Sequence, residues 1–402
     1  MTATWLTARR IRAHGLLLAL CLWTVYAVDM SSPGLRDRNG LIKGTDFLHF
    51  YTLGNIALQK RGELLYDMQS QTAILQKLVP AAAGNSYVPL YGPQVSLLFA
   101  PFALMSYPTA LTIWLLVNAV IYGSCCYLVW KHCPNLRVQP WTVLIAALAF
   151  PGLFHLILWG QTSGLALLCF TLAFLALRKN RPCFAGLAIG SLIFKPQLGL
   201  AAAIIFLFAR EWKLIAAAIL AALAQLNIGW LYYGTPVIRE YLRALMHVGD
   251  VLRMLEPRPY QMHSLRALWS LLIPWTPLAF ILYAATAVAV LVVASRSWRS
   301  KTSLGLRYSA LLLATVLVAP HLTVYDLLIL APAFLLLADW VVRTSPAGSA
   351  GIMSALLYLC YPLFLLGPLT RITHLQLSVI AMAGLLLLID RNRNLTSRAY
   401  IA

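Results

Sequence analysis

Gly44-Thr45-Asp46-Phe47-Leu48-His49-Phe50-Tyr51 and its continuation to Asp67, GTDFLHFYTLGNIALQKRGELLYD, set one acid among aromatic residues just after the first apolar run of the chain. Only 12 acids occur in 402 residues, and a carboxylate beside a bilayer is costly without a partner or a task. Asp46 is therefore the leading candidate for chemistry. Its structural alternative is a helix cap, since Thr45-Asp46 is a suitable start for the helix that follows.

Outward from this stretch, composition sets the class. A hydrophobic share of 61%, a charged share of 11% and a mean hydropathy of +0.77 describe an all-α polytopic membrane protein. The net charge of +19 is divided into short clusters between apolar runs, the pattern of topology signals, and forms no continuous patch for nucleic acid. The seven cysteines contain no CxxC and read as small packing residues, neither a disulfide framework nor a metal site.

Arg9, Arg10 and Arg12 precede an apolar run, 15–28, that no small-x-small cleavage site follows; it reads as an uncleaved first span with a cytoplasmic N-terminus. Residues 29–90 are then the first outer loop, in which Asp46 to Lys60 and Glu63 to Leu78 suggest two short amphipathic helices on the membrane surface. Apolar runs follow near 93–106, 109–130, 141–158, 162–178, 182–195, 197–209 and 213–233. The polar segment 234–262 and a short helix to about 276 form a second outer region, and further runs lie near 277–295, 303–319, 325–342, 349–366 and 373–390. Basic clusters from Arg178 to Arg393 all fit the cytoplasmic side only if one of the runs between Tyr91 and Arg178 fails to cross, which gives about twelve transmembrane helices in a single domain, 1–402. No internal repeat is visible on inspection.

Three further motifs carry polar groups into apolar surroundings. Gly160-Gln161 links two apolar runs and reads either as a turn or as an amide for a sugar hydroxyl. Lys195, in Phe194-Lys195-Pro196, is the only charge between Phe184 and Ala209; it either faces a bound phosphate or snorkels or pairs with an acid. Pro320-His321-Leu322-Thr323-Val324-Tyr325-Asp326 sets three titratable side chains between two runs, as a site or as a polar turn. No DxD, DxE or ExD occurs, so a divalent metal held on paired carboxylates is not expected, nor any other cofactor.

Taken in order, TDFLHFYTLGNIALQKRGELLYD, YGPQVSLLFAPF, GQTSGLALLCFTLAFLALRKNRPCFAGLAIGSLIFKPQLGL and PHLTVYDLLILAP resemble the signature blocks of glycosyltransferase family 87, from about residue 44 to 333. The family's usual pattern is altered at His49, at Gly92 and at Tyr325-Asp326. The resemblance implies a GT-C fold and a bacterial cytoplasmic-membrane enzyme working on the outer side. It would move a sugar, mannose by analogy, from a polyprenyl-phosphate donor to a lipid or glycan acceptor, with inversion. Asp46 would be the general base. Lys195, His321, Arg258 and Arg266 would meet the donor phosphate, and His49, Tyr51, Tyr91, Gln161, Tyr325 and Asp326 the sugar or acceptor. The competing class is a transporter or flippase for an anionic or lipid-linked substrate, in which Lys195 and Gln161 would line a pathway.

Overall fold

The computed structural model describes residues 6–256, 258–344 and 348–399, and among these it is helical throughout, with two isolated β-bridges and no strand. In chain order the helices are α1 Ala8–Met30, α2 Thr45–Leu58, α3 Met68–Leu78, α4 Pro93–Phe99, α5 Tyr107–Trp130, α6 Pro140–Leu148, α7 Pro151–Trp159, α8 Ser163–Arg178, α9 Pro182–Gly190 and α10 Pro196–Phe208. They continue as α11 Trp212–Tyr233, α12 Thr235–Met246, α13 Leu252–Leu255, α14 Leu265–Leu272, α15 Thr276–Trp298, α16 Leu304–Val318, α17 Ala331–Arg343, α18 Ser349–Leu363, α19 Gly367–Thr373 and α20 Leu377–Ala399. Proline within the first two positions opens many of them, including α4 to α7, α9 and α10; there its missing N–H costs nothing and its fixed φ fits the helix.

Among the described residues, five helical stretches are long and apolar enough to cross a bilayer alone: α1, α5, α11, α15, and the 3-10 turn Val324–Leu330 continued into α17. The pairs α6–α7 and α18–α19, bent by 44° and 90°, raise this to seven, and α8, α10, α16 and Pro182–Phe194 are apolar but shorter. The expected count of about twelve is therefore not reached by length. One reason is local: the run 93–106 makes only the seven-residue α4 and a 3-10 turn, Phe102–Leu104, and crosses nothing as a single helix. A run in this interval that does not cross is what the placement of the basic clusters requires.

The segment between α1 and α5 also differs from expectation. Ten of the fourteen residues of α2 are buried, so it is a core helix of its lobe and not an amphipathic surface helix. α3, which buries Gln71 and Leu75 against it, has the two-sided character predicted.

The apolar interior has two main parts. The larger runs through α5, α7 to α11, α14 to α18 and α20, and the smaller gathers α2, α3, α4 and the start of α5 around Phe47, Phe50, Phe99 and Trp114. Leu115 and Phe194 pack against both. The seam that they mark is where the polar residues meet.

Candidate active site

α2 starts at Gly44, whose φ of 64° is left-handed and which offers no side chain as a cap; Asp46 sits in the first turn and makes no cap hydrogen bond. The carboxylate is thus not spent on its own helix. It faces the α7–α8 link, where Gly160 is also left-handed with φ 68°. A Cβ on Gly160 would lie 2.8 Å from the Phe47 Cβ and 3.6 Å from the Gly44 Cα, so the glycine lets the two segments touch. Trp114 Nε1 donates to the Gly160 carbonyl at 2.8 Å and Asn118 Nδ2 to that of Gln161 at 3.2 Å, fixing the link. The outcome is a 2.9 Å hydrogen bond from Gln161 Nε2 to Asp46 Oδ2. Gln161 Oε1 accepts from the Thr162 N–H at 2.9 Å, which settles the orientation of the amide.

Next to this pair lies an ion pair buried on both sides. Lys195 Nζ is 2.7 Å from Asp326 Oδ1, with side chains only 3% and 2% exposed. Ser163 Oγ completes a triangle, donating to Asp326 Oδ1 at 2.7 Å and accepting from Lys195 Nζ at 3.0 Å. The second carboxylate oxygen of Asp326 caps the 3-10 turn by accepting from the Thr323 N–H and hydroxyl at 3.3 and 3.2 Å. Pro196 directs Lys195 here: the residue before a proline avoids the α region, and Lys195 has φ −134° and ψ 69° between a 3-10 turn and α10. So Lys195 meets an acid of its own chain, the second of its two sequence readings.

The Tyr325 hydroxyl approaches Asp46, its ring lies 5.1 Å from Lys195 Nζ, and the Tyr91 hydroxyl approaches Gln161 and Thr162. Burial pushes the Asp46 carboxyl up to about 6, against the opposing pull of the Gln161 hydrogen bond and the Lys195 charge. Unlike Lys195 and Asp326, Asp46 keeps part of its surface open. A carboxylate whose pKa is raised to about 6 and that is oriented by an amide can take a proton from a hydroxyl.

His49 is buried, with its ring 5.0 Å from that of Tyr87 and 5.7 Å from that of Tyr91; Nε2 has no partner, and burial pushes its pKa down to about 3, so it is neutral. Tyr51 is not brought to the cluster: its hydroxyl donates to the Met105 carbonyl at 2.8 Å and its ring packs on Tyr107. It holds α2 in place.

A second charged group borders the first. His321 Nδ1 is 3.0 Å from Glu256 Oε1, Arg266 pairs with the other oxygen of Glu256, and Arg266 Nε donates to the Pro320 carbonyl. The β-bridge Met262–Thr323 and the His263 N–H to the Leu322 carbonyl at 3.3 Å sew the polar segment before α14 to this loop, and His263 Nδ1 with Ser378 Oγ at 2.7 Å ties it to α20. Arg258 is exposed at the start of the turn Pro259–Gln261.

Sequence reading missed Ser163 and Glu256. Ser163 stood in the quoted block GQTS, where a hydroxyl two residues after Gln161 could have been followed; Glu256 was one acid in an arginine-rich loop, and nothing local marks its partners.

Asp46, Tyr91, Gln161, Lys195, Tyr325 and Asp326 come from five separated segments and share one polar cluster inside an apolar bundle. No curated protein and no solved structure matches the chain. The model of glycosyltransferase family 87 matches residues 90–320, more than half of its length, and the chain belongs to that family.

Proposed function

We propose that this membrane-embedded glycosyltransferase takes its sugar from a polyprenyl-phosphate donor, with Asp46 as the general base. The observation that carries the reading is the Gln161–Asp46 pair beside the buried Lys195–Asp326 pair. Asp46 precedes the matched region, so its role rests on this geometry and on the motif around it.

A sugar on a polyprenyl phosphate already has a good leaving group. It needs an acceptor hydroxyl deprotonated on one face and negative charge stabilised on the other. Asp46 takes the acceptor proton, Gln161 holds the carboxylate, and Tyr325 approaches it from the 3-10 turn. His49, Tyr87 and Tyr91 offer aromatic faces beside it, suited to the apolar side of a sugar. Lys195, neutralised by Asp326, keeps that acid in place and lends its field to Asp46; the donor phosphate falls to Arg266, His321 and Arg258. Attack through a single carboxylate base inverts the anomeric centre, so a β-phosphosugar gives an α-glycoside, and mannose is the sugar proposed. Neither step requires a metal.

Topology follows the same reading. In the proposed GT-C arrangement α1, α5, the α6–α7 pair, α8, Pro182–Phe194, α10, α11, α15, α16, Val324–Arg343, α18 and α20 would be twelve passes, some of them short. Lys131, Arg178–Arg181, Arg210, Arg296–Lys301 and Arg343 then share the end away from Asp46, on the cytoplasmic side, and catalysis faces the exterior.

The test is sugar transfer by purified protein in nanodiscs, using radiolabelled polyprenyl-phosphate sugars and a membrane lipid extract as acceptor. A labelled product that disappears in Asp46→Asn, with expression and melting temperature retained, is the expected result. Transfer by a well-folded Asp46→Asn at the wild-type rate excludes the base assignment.

A further inference from the structure

We propose that Glu256 holds the place of the donor phosphate in the empty enzyme, bridging Arg266 and His321, and that the incoming phosphate displaces it. This deepens the reading above and rests on its donor assignment. Glu256 meets the two groups best suited to bind a phosphate from the outer region, a guanidinium and an imidazole, and meets them with different oxygens. The contact is not a solvated surface pair. Glu256 is 10% exposed and Arg266 19%, whereas the neighbouring pair Glu240–Arg243 is 43% and 57% exposed.

The donors stay put when the carboxylate leaves. Arg266 belongs to α14 and is tied to the Pro320 carbonyl, and the loop bearing His321 is bridged to Met262 through Thr323. Glu256 itself lies outside any helix, between α13 and the turn Pro259–Gln261, so its departure breaks no helical hydrogen bond. Against the cost of burial, His321 and Arg266 hold its carboxyl below the usual range, so it is anionic at neutral pH.

Charge is conserved in the exchange. A polyprenyl-phosphate sugar is a phosphodiester with one negative charge, as is the carboxylate. The product monoester carries about −1.5 to −2 near neutrality and binds the same groups more strongly. A carboxylate that competes for them weakens both, and it opposes trapping of the product.

The experiment measures equilibrium binding of a radiolabelled short-chain polyprenyl monophosphate to the full chain in nanodiscs, with no sugar transfer involved. Glu256→Gln and Glu256→Ala should each bind about tenfold more tightly than wild type, since a competing pair of charge-assisted hydrogen bonds is removed. Arg266→Gln should bind more weakly, alone or combined with Glu256→Gln. The two Glu256 variants guard against one of them folding poorly, and melting temperature is read on each. Unchanged or weaker binding in both Glu256 variants, with wild type saturating normally, overturns the proposal and makes Glu256 a brace for Arg266 and His321. Absence of saturable binding by wild type instead removes the donor reading, and the proposal with it.

Discussion

Asp46 and Lys195 both place charge in apolar surroundings, yet the structure gives them opposite vulnerabilities. Asp46 has its carboxyl pushed up to about 6 by burial, and only the ionised form accepts a proton. With a raised value, activity is present above it and lost below it: kcat/KM should fall tenfold per pH unit below about 6 and level off above. A pH–rate profile checks this, and a flat profile from pH 5 to 8 would contradict the base. Asp46→Asn should lose at least ~10² in turnover, the lower end of what a general base contributes. Lys195 behaves otherwise. Removing one partner of a buried ion pair leaves the other charge uncompensated, at a cost of about 3–5 kcal/mol, so Lys195→Met should express poorly or melt far below wild type. Lys195→Met combined with Asp326→Asn should recover much of that stability, because the introduced amide keeps an oxygen for Thr323 and buries no charge. If the double variant is no more stable than the single one, the pair is not the source of the loss. From sequence, the expense of a cation at position 195 was legible; its partner was not. Lys195 and Asp326 are 131 residues apart, and no spacing rule connects them.

At the scale of elements, the site depends on how closely the start of α2 approaches the α7–α8 link. Gly160→Ala would impose a left-handed conformation on an L residue, costing about 1–2 kcal/mol, and would drive its Cβ to 2.8 Å from that of Phe47. The melting temperature should drop by a few degrees. Turnover should fall further than that loss explains, because the displaced link carries Gln161, whose amide orients Asp46. Measuring both on one preparation separates the effects; a lower melting temperature with full turnover would mean that the approach is structural only. The helices themselves were largely legible, since apolar runs bounded by proline and basic residues define them. What the runs bury against was not. Residues 93–106 are as apolar as a span, but α4 spends its apolar surface on α2, and composition cannot tell a protein core from lipid. The same ambiguity made α2 read as a surface helix: its polar residues are few, and ten of its residues are covered by α3, α4 and α5.

For the whole molecule, the number of passes decides which side the chemistry faces, and helix length alone leaves three counts to compare. A 23-residue helix such as α15 is about 34 Å long and spans a ~30 Å core, whereas the 13 residues of α10 reach about 20 Å and need extensions or a thinned bilayer. Single cysteines at Ser86, Gly249, Lys301 and Arg343, all exposed, distinguish the counts in a background without the native cysteines. With a cytoplasmic N-terminus, twelve passes put Ser86 and Gly249 outside and Lys301 and Arg343 inside. Crossing by the five long stretches alone keeps the first three positions and moves Arg343 outside. Crossing by seven leaves Ser86 outside and Arg343 inside but exchanges Gly249 and Lys301. The positive-inside rule favours the first pattern, because it alone gathers Arg296, Arg299, Lys301 and Arg343 on one side together with Arg178–Arg181. Labelling with an impermeant maleimide in intact cells should therefore modify Ser86→Cys and Gly249→Cys at once, and Lys301→Cys and Arg343→Cys only after the membrane is opened. Labelling of Ser86→Cys only after opening would reverse the orientation, move Asp46 to the cytoplasmic face, and require a donor presented from that side.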